Sequence, residues 1–392
     1  MSLPRKHQSL WLLIAMVLVG LNLRPALASV APLLSAIRSG AHLSASAAGL
    51  LTTLPVLCLG LFAPFAPLLA RRIGAEQTIL LALGLLICGL LLRPFSGLGG
   101  LFIGTVMAGA AIGIGNVILP AIVKREFPQR LGAVTGLYTM SLSLGAAIAA
   151  GLSVPVQQLA GSDWRLGLAF WAVPAALAAL VWLPQLAEHR ALGNQARLGS
   201  LWRKPLAWQV MVYMGAQSSL SYCVFGWLPT ILADRGMSAL AAGFMMSLSV
   251  LMQLITALTG PWFATRGRDQ RLAIVVVLGM TLAGLLGCVY APIGQVWWWA
   301  VLLGLGQGGT FSIALTLIVL RAHDAQVAGE LSGMAQGGGY TIAALGPLGV
   351  GLLHEWTGHW HAVAGLFVLL SALALAAGLG AGRNLQIRAG VD

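Results

Sequence analysis

The chain has 392 residues, of which 58% are hydrophobic and only 8% charged, with a formal net charge of +12. A soluble globular domain carries about 25% charged residues, so this composition cannot clothe a water-facing surface and excludes that class. The four cysteines, Cys58, Cys88, Cys223 and Cys288, all lie within apolar stretches, as small buried hydrophobes do, which argues against a disulfide framework, a metal site or a redox role.

In chain order, apolar segments recur over roughly 10–37, 45–70, 77–95, 99–124, 131–158, 165–184, 206–232, 240–264, 272–291, 296–320, 327–353 and 361–382. Each reaches or approaches the length of about 20 residues that a membrane-spanning helix needs. The first is too long for the core of a signal peptide and no small-residue cleavage pattern follows it, so it reads as a retained span. The fold class expected is an all-α membrane protein with twelve transmembrane helices.

The basic residues set the orientation. With the N-terminus inside, 17 of the 22 Lys and Arg residues fall in inner loops and tails, while Arg38, Arg93, Arg165 and Arg235 fall outside and Arg24 lies within a helix. This bias follows the positive-inside rule and places both termini in the cytoplasm. The positive charge is therefore a signal of topology, and no nucleic acid partner is expected.

Gln185 to Pro205, QLAEHRALGNQARLGSLWRKP, is the longest polar stretch. It divides the chain into an N-terminal six-helix bundle (1–184), a cytoplasmic linker (185–205) and a C-terminal six-helix bundle (206–392). The halves resemble copies: APLLARR at 66–72 matches GPWFATR at 260–266, and APLLSAIRSG at 31–40 resembles LPTILADRG at 228–236. DWR at 163–165 corresponds to HWH at 359–361, and GAAIGIG at 109–115 shares a glycine rhythm with GLGQGG at 304–309. All offsets are close to 195 residues, which implies duplication of one six-helix unit. Twin repeats of this kind in secondary transporters hold their substrate near the midplane, between the halves.

The loop PLLARRIGAE, Pro67 to Glu76, is similar to the loop motif G-x-L-A-D-R-x-G-R-R of the major facilitator superfamily. Arg72 and Gly74 fit it, Arg71 stands where the motif has Asp, and Glu76 replaces a basic residue, so the gating role of that Asp does not carry over. LNLRPALASVAPLL, GLLTTLPVLCLGLFAP, GIGNVILPAIVKREFP, GWLPTIL and LSGMAQGGGY more specifically resemble the cyanate permease branch, which includes nitroimidazole transporters. KPLAWQV and LSGMAQGGGY are nearer to the nitroimidazole members. The resemblance covers nearly the whole chain. It implies the major facilitator fold, transport by alternating access and a bacterial-type inner membrane, with helices seven and eleven lining the path.

Arg24, in GLNLRPALASVAPLL, stands out chemically. It lies about 21 Å along the first segment at 1.5 Å per residue, near the middle of a hydrocarbon core about 30 Å thick. The ten acidic residues all fall in loops, tails or helix ends by these boundaries. An intramembrane arginine must face protein or a water-filled path, so the balancing charge is assigned to a small anionic substrate, which the rigid guanidinium fork suits. The rival reading is structural: Pro25 cannot donate to the Leu21 carbonyl, and Arg24 could bond freed carbonyls and the Asn22 side chain.

Asn22 and Asn116 in the first half, and Gln217, Tyr222, Gln336 and Tyr340 in the second, are the further candidates for substrate binding. Buried amides and hydroxyls need partners, which can be neighbouring helices or substrate. Arg71, Arg72, Lys124, Arg125 and Arg321 form a candidate inner-mouth group, either anchoring spans to the inner face or drawing anions in. No cluster suits a catalytic site, and no metal or cofactor is implied. Acting as a monomer in the lipid bilayer, the chain is expected to move a small anionic or electron-rich solute, cyanate-like or nitroimidazole-like. The alternatives are a carrier exporting neutral molecules in which Arg24 is structural, and a passive channel.

Overall fold

A computed structural model describes residues 5–43, 45–187 and 201–388. Within them the chain is helical, with a single isolated parallel β-bridge between Ala322 and Ile387. The first half contains α1 (Arg5–Leu23), α2 (Pro25–Ala28), α3 (Val30–Gly40), α4 (Ala45–Phe62), α5 (Phe65–Ile73), α6 (Ala75–Phe95), α7 (Gly97–Glu126), α8 (Leu131–Leu159), α9 (Trp164–Ala169) and α10 (Ala172–Trp182). The second contains α11 (Pro205–Asp234), α12 (Ala239–Arg266), α13 (Arg271–Tyr290), α14 (Val296–Arg321), α15 (Ala325–Thr357) and α16 (Trp360–Ala381). Most of the expected linker, residues 188–200, lies outside the described residues.

Among the described residues, nine helical stretches are long and apolar enough to cross a membrane, or ten if the bent pair around Phe62 and Phe65 is one span. The long helices α11 and α15, of 30 and 33 residues, are not among the nine. Each is interrupted by polar residues, such as Gln217, Ser218 and Ser219 in α11 and Glu330, Ser332 and Gln336 in α15.

Three segments expected to be continuous are broken: the sixth divides at Phe170–Trp171, between α9 and α10, and proline accounts for the other two. Pro25 has no N–H for the Leu21 carbonyl and Pro32 has none for that of Ala28, and the first segment divides at Arg24 and again at Ser29. In the second, the chain bends by 53° between Thr53–Phe62 and Phe65–Ile73, at Pro64, which precedes the new helix.

Two compact units are present: residues 1–128 with 141–195, and residues 129–140 with 196–392. In the first, Val30, Leu33, Ile37, Leu51, Trp164 and Leu168 form an apolar core. In the second, Leu220, Leu228, Leu285, Leu303, Val363 and Phe367 do so. Large apolar side chains such as Leu61, Leu177, Leu180, Phe244 and Leu369 face outward, as contact with lipid requires.

Glycine lets the helices inside each unit meet backbone to backbone. Gly109 and Gly113 of α7 lie against Pro55, Cys58 and Leu59 of α4, and a Cβ on Gly113 would stand 3.0 Å from the Leu59 carbonyl oxygen. In α14, 195 residues later, Gly304 and Gly308 lie in the same way against Ser249, Met252 and Gln253 of α12. The glycine rhythm seen in the sequence is thus one packing seam built twice. Cys88 differs from expectation: it is exposed on α6, whereas the other three cysteines are buried.

Candidate functional site

Arg24 occupies the break in the first span. Its backbone (φ −104°, ψ −27°) stays near the helical region, and its carbonyl accepts from the N–H groups of Leu27 and Ala28, both at 3.0 Å. A single turn, α2, follows. The Leu21 carbonyl that Pro25 leaves without an N–H lies directly against Gly145 of α8, where a side chain would overlap it. Arg24 itself is half-buried and engaged with its surroundings.

Asn22 is buried and donates its Nδ2 to the Leu18 carbonyl at 2.8 Å, one turn back on its own helix. Asn116 is buried in α7 beside Gly115, whose α-carbon abuts the Leu23 side chain. The first unit therefore brings Asn22, Arg24 and Asn116 onto adjoining elements.

A further arginine reaches the same break. Arg93, counted among the outer charges although the third segment (77–95) ends beyond it, belongs to the last turn of α6 and is 1% exposed. Its Nη1 donates to the Ala26 carbonyl at 2.8 Å and its Nε to Thr105 Oγ1 at 3.0 Å, while Nη2 is buried without a hydrogen-bond partner. The sequence does carry a signal for this: Arg93 closes the run LLALGLLICGLLL. Side chains on a helix lean toward its N-terminus, so an arginine at the C-terminal end of a span points back into the membrane.

In the second unit, α11 and α15 carry the remaining candidates. The rings of Tyr222 and Tyr340 meet edge to face with centroids 6.4 Å apart. Gln217 and Gln336 are buried on the same two helices. Gln336 Nε2 donates to Ser332 Oγ at 2.8 Å and Gln217 Nε2 to Ser218 Oγ at 2.8 Å, whereas Gln217 Oε1 is buried and accepts no hydrogen bond. Gln253 on α12 donates to Gln307 on α14 at 3.2 Å, a pair the choice of candidates left out. Glu330, expected at a helix end, is buried in the second turn of α15, with Gln326 3.4 Å from its carboxylate.

The residues expected at the inner mouth divide by unit. In the first, Arg71 and Arg72 are exposed in the last turn of α5. Lys124 and Arg125 end α7, where Arg125 pairs with Glu76, in the first turn of α6, and with Glu126. Glu76, which departs from the loop motif, thus receives an arginine from α7, and its backbone carbonyl accepts from Trp182 Nε1 at 2.9 Å. In the second unit Arg321 is buried, and its Nη1 donates to the Leu385 carbonyl of the C-terminal tail at 3.2 Å. The tail is held further by Ile387 N–H to the Arg321 carbonyl at 2.7 Å and His323 N–H to the Ile387 carbonyl at 3.0 Å.

Among the described residues no group of three or more His, Cys, Asp or Glu could hold a metal ion. The first unit thus carries a half-buried arginine at a helix break, and the second carries buried amides and a pair of phenols.

Residues 10–343 match the Major Facilitator Superfamily. The chain is 39% identical over 387 residues to the uncharacterized transporter YycB of Bacillus subtilis, covering 98% of this chain and 96% of that one. It is 38% identical over 384 residues to the 2-nitroimidazole transporter of Escherichia coli, covering 96% of each. To the cyanate transport protein CynX of Escherichia coli it is 32% identical over 372 residues, covering 91% of this chain and 96% of that one. The solved structure of the proton:xylose symporter XylE superposes with a TM-score of 0.76 at 12% identity, covering 96% of this chain and 95% of that one, a likeness of fold.

Proposed function

The chain belongs to the major facilitator superfamily, and from that premise we propose that it carries a small anion or an electron-rich heterocycle across a bacterial inner membrane by alternating access, with Arg24 as the central substrate contact. The carrying observation is the position of Arg24 at the break in the first span. There the helix ladder is interrupted, the side chain is half-buried, and Asn116 lies on the adjoining helix. Charged groups at such depth serve a ligand path by default, and a guanidinium fork matches a planar or linear anion. The cyanate and 2-nitroimidazole relatives support both substrate classes. The Tyr222–Tyr340 pair favours the heterocycle as the second reading, since the half-buried Tyr222 ring, backed by the buried Tyr340, is an aromatic surface of the kind a heterocycle stacks on.

Adding the bent pair and helices α11 and α15 to the nine apolar stretches gives the twelve spans proposed. With them go cytoplasmic termini, a linker over 185–205 between six-helix bundles, and function as a monomer. Lys124, Arg125, Arg71 and Arg72 then lie at the inner face.

Purified protein in proteoliposomes tests this reading through counterflow of labelled cyanate. A saturable carrier accumulates label against unlabelled substrate, whereas an open channel does not. Arg24→Gln removes a charge-assisted contact of about 1.5–3 kcal/mol, which raises KM about tenfold to a hundredfold. Unchanged counterflow in that variant would refute the role of Arg24.

A further inference from the structure

Arg93 presents a puzzle that the role of Arg24 leaves unanswered. It is a fully buried cation, and among the described residues it forms no ion pair. Burying a charge without a counter-charge is costly, and leaving Nη2 unbonded adds to that cost. Something must compensate.

The companion half shows what a plain brace looks like. There Arg235, just past the end of α11, donates to the carbonyls of Cys288 and Ala291. These belong to the last turn and the cap of α13, whose carbonyls are spare in any helix. Cys288 stands 195 residues after Arg93. The first and third helices of each six-helix unit are therefore tied by a guanidinium in both halves, but from opposite partners. In the second half the arginine sits at the helix ends and satisfies carbonyls that lack partners. In the first it comes from α6, is wholly buried, and grips Ala26 in the middle of the one-turn segment that follows Arg24. Thr105 fixes the other side of the guanidinium, and Thr105 is itself held by the Leu101 carbonyl at 2.6 Å. The seam beneath is rigid: a Cβ on Gly104 would stand 2.9 Å from the backbone nitrogen of Arg93.

We propose that Arg93 is a positioning residue for anion recognition: by holding the Ala26 carbonyl, it sets the break in the first span and so fixes where Arg24 presents its guanidinium. This rests on the reading of Arg24 as the substrate contact. A one-turn helix between two breaks has few internal hydrogen bonds to define its geometry. The clamp from α6 supplies what the segment lacks, and it reaches Arg24 through two residues of chain.

The test is the KM for labelled cyanate uptake in proteoliposomes by Arg24→Gln, Arg93→Gln, Arg93→Lys and the double variant R24Q/R93Q. Losing a charge-assisted bond that positions Arg24 raises KM about tenfold in Arg93→Gln. Arg93→Lys, which can still donate to Ala26, recovers part of the loss. The double variant is expected to be no worse than Arg24→Gln alone, because positioning acts only through Arg24; a merely structural brace would give additive losses. Additive effects, or a wild-type KM in Arg93→Gln, would overturn the role of Arg93 while leaving Arg24 in place. A wild-type KM in Arg24→Gln would instead overturn the reading on which this one rests. If Arg93→Gln does not fold, Thr105→Val frees Nε while keeping the charge. It is expected to raise KM several-fold, and an unchanged KM there also defeats the proposal.

Discussion

Gly145 and Gly151 lie on the same helix and differ in one respect. An added Cβ at Gly145 would collide with the Leu21 carbonyl, with that carbon at 2.8 Å and the Leu21 α-carbon at 3.1 Å, whereas at Gly151 nothing lies within 4 Å. None of the atoms facing Gly145 is a flexible side chain that could turn away, so the α1 backbone itself must move. Both Gly→Ala changes gain the same helix propensity, about 0.5–1 kcal/mol. The difference between them isolates the clash, which for overpacking is about 1–3 kcal/mol. Paired thermal melts of the two purified variants in one detergent, read by loss of monodisperse protein, measure that difference. Gly151→Ala should match or slightly exceed wild type, and Gly145→Ala should melt below it. Because displaced backbone at Leu21 carries Arg24 with it, Gly145→Ala should also raise KM for substrate. Equal melting temperatures for the pair would refute the idea that the carbonyl freed by Pro25 is seated on Gly145.

The duplicated seam predicts equal penalties at equivalent positions: Gly113→Leu and Gly308→Leu, each meeting backbone of the facing helix, should both lose folded yield in fluorescence-detected size exclusion, while Gly279→Leu, with open space around it, should not. Truncation after Gly382 removes the Leu385 and Ile387 carbonyls that serve Arg321 and His323. Leaving a buried guanidinium short of a partner costs about 1–3 kcal/mol, so the truncated chain should melt lower, and Arg321→Leu should recover part of the loss.

The features readable in the sequence were those set by composition and period. Long apolar runs specify spans because a bilayer leaves no other option for the backbone, and Arg24 stood out because its segment is almost wholly apolar. Pro25 marked the break one residue from where it occurs. Arg93 escaped because the same residue type at the end of a span also serves as an outer-loop charge, and only the fold shows that it turns inward. Glu330 lies near the start of its helix as expected, but its burial was not legible, because it depends on what packs against that turn. The Gln253–Gln307 bond and the return of the tail to Arg321 join residues far apart in the chain, and no local pattern announces them. The glycine rhythm was legible as repetition, but its meaning as a seam needed the facing helices.

That seam has a mechanical consequence. A contact made of backbone has no rotamers to turn, so paired helices such as α4 with α7, or α12 with α14, behave as stiff slats with little give between them. Any change of shape must be absorbed where the ladder of hydrogen bonds is already open. In the first unit those points include Arg24–Pro25, Ser29, the 53° bend after Phe62 and the Phe170–Trp171 break. Compliance is therefore concentrated at a few joints, and one of them carries Arg24.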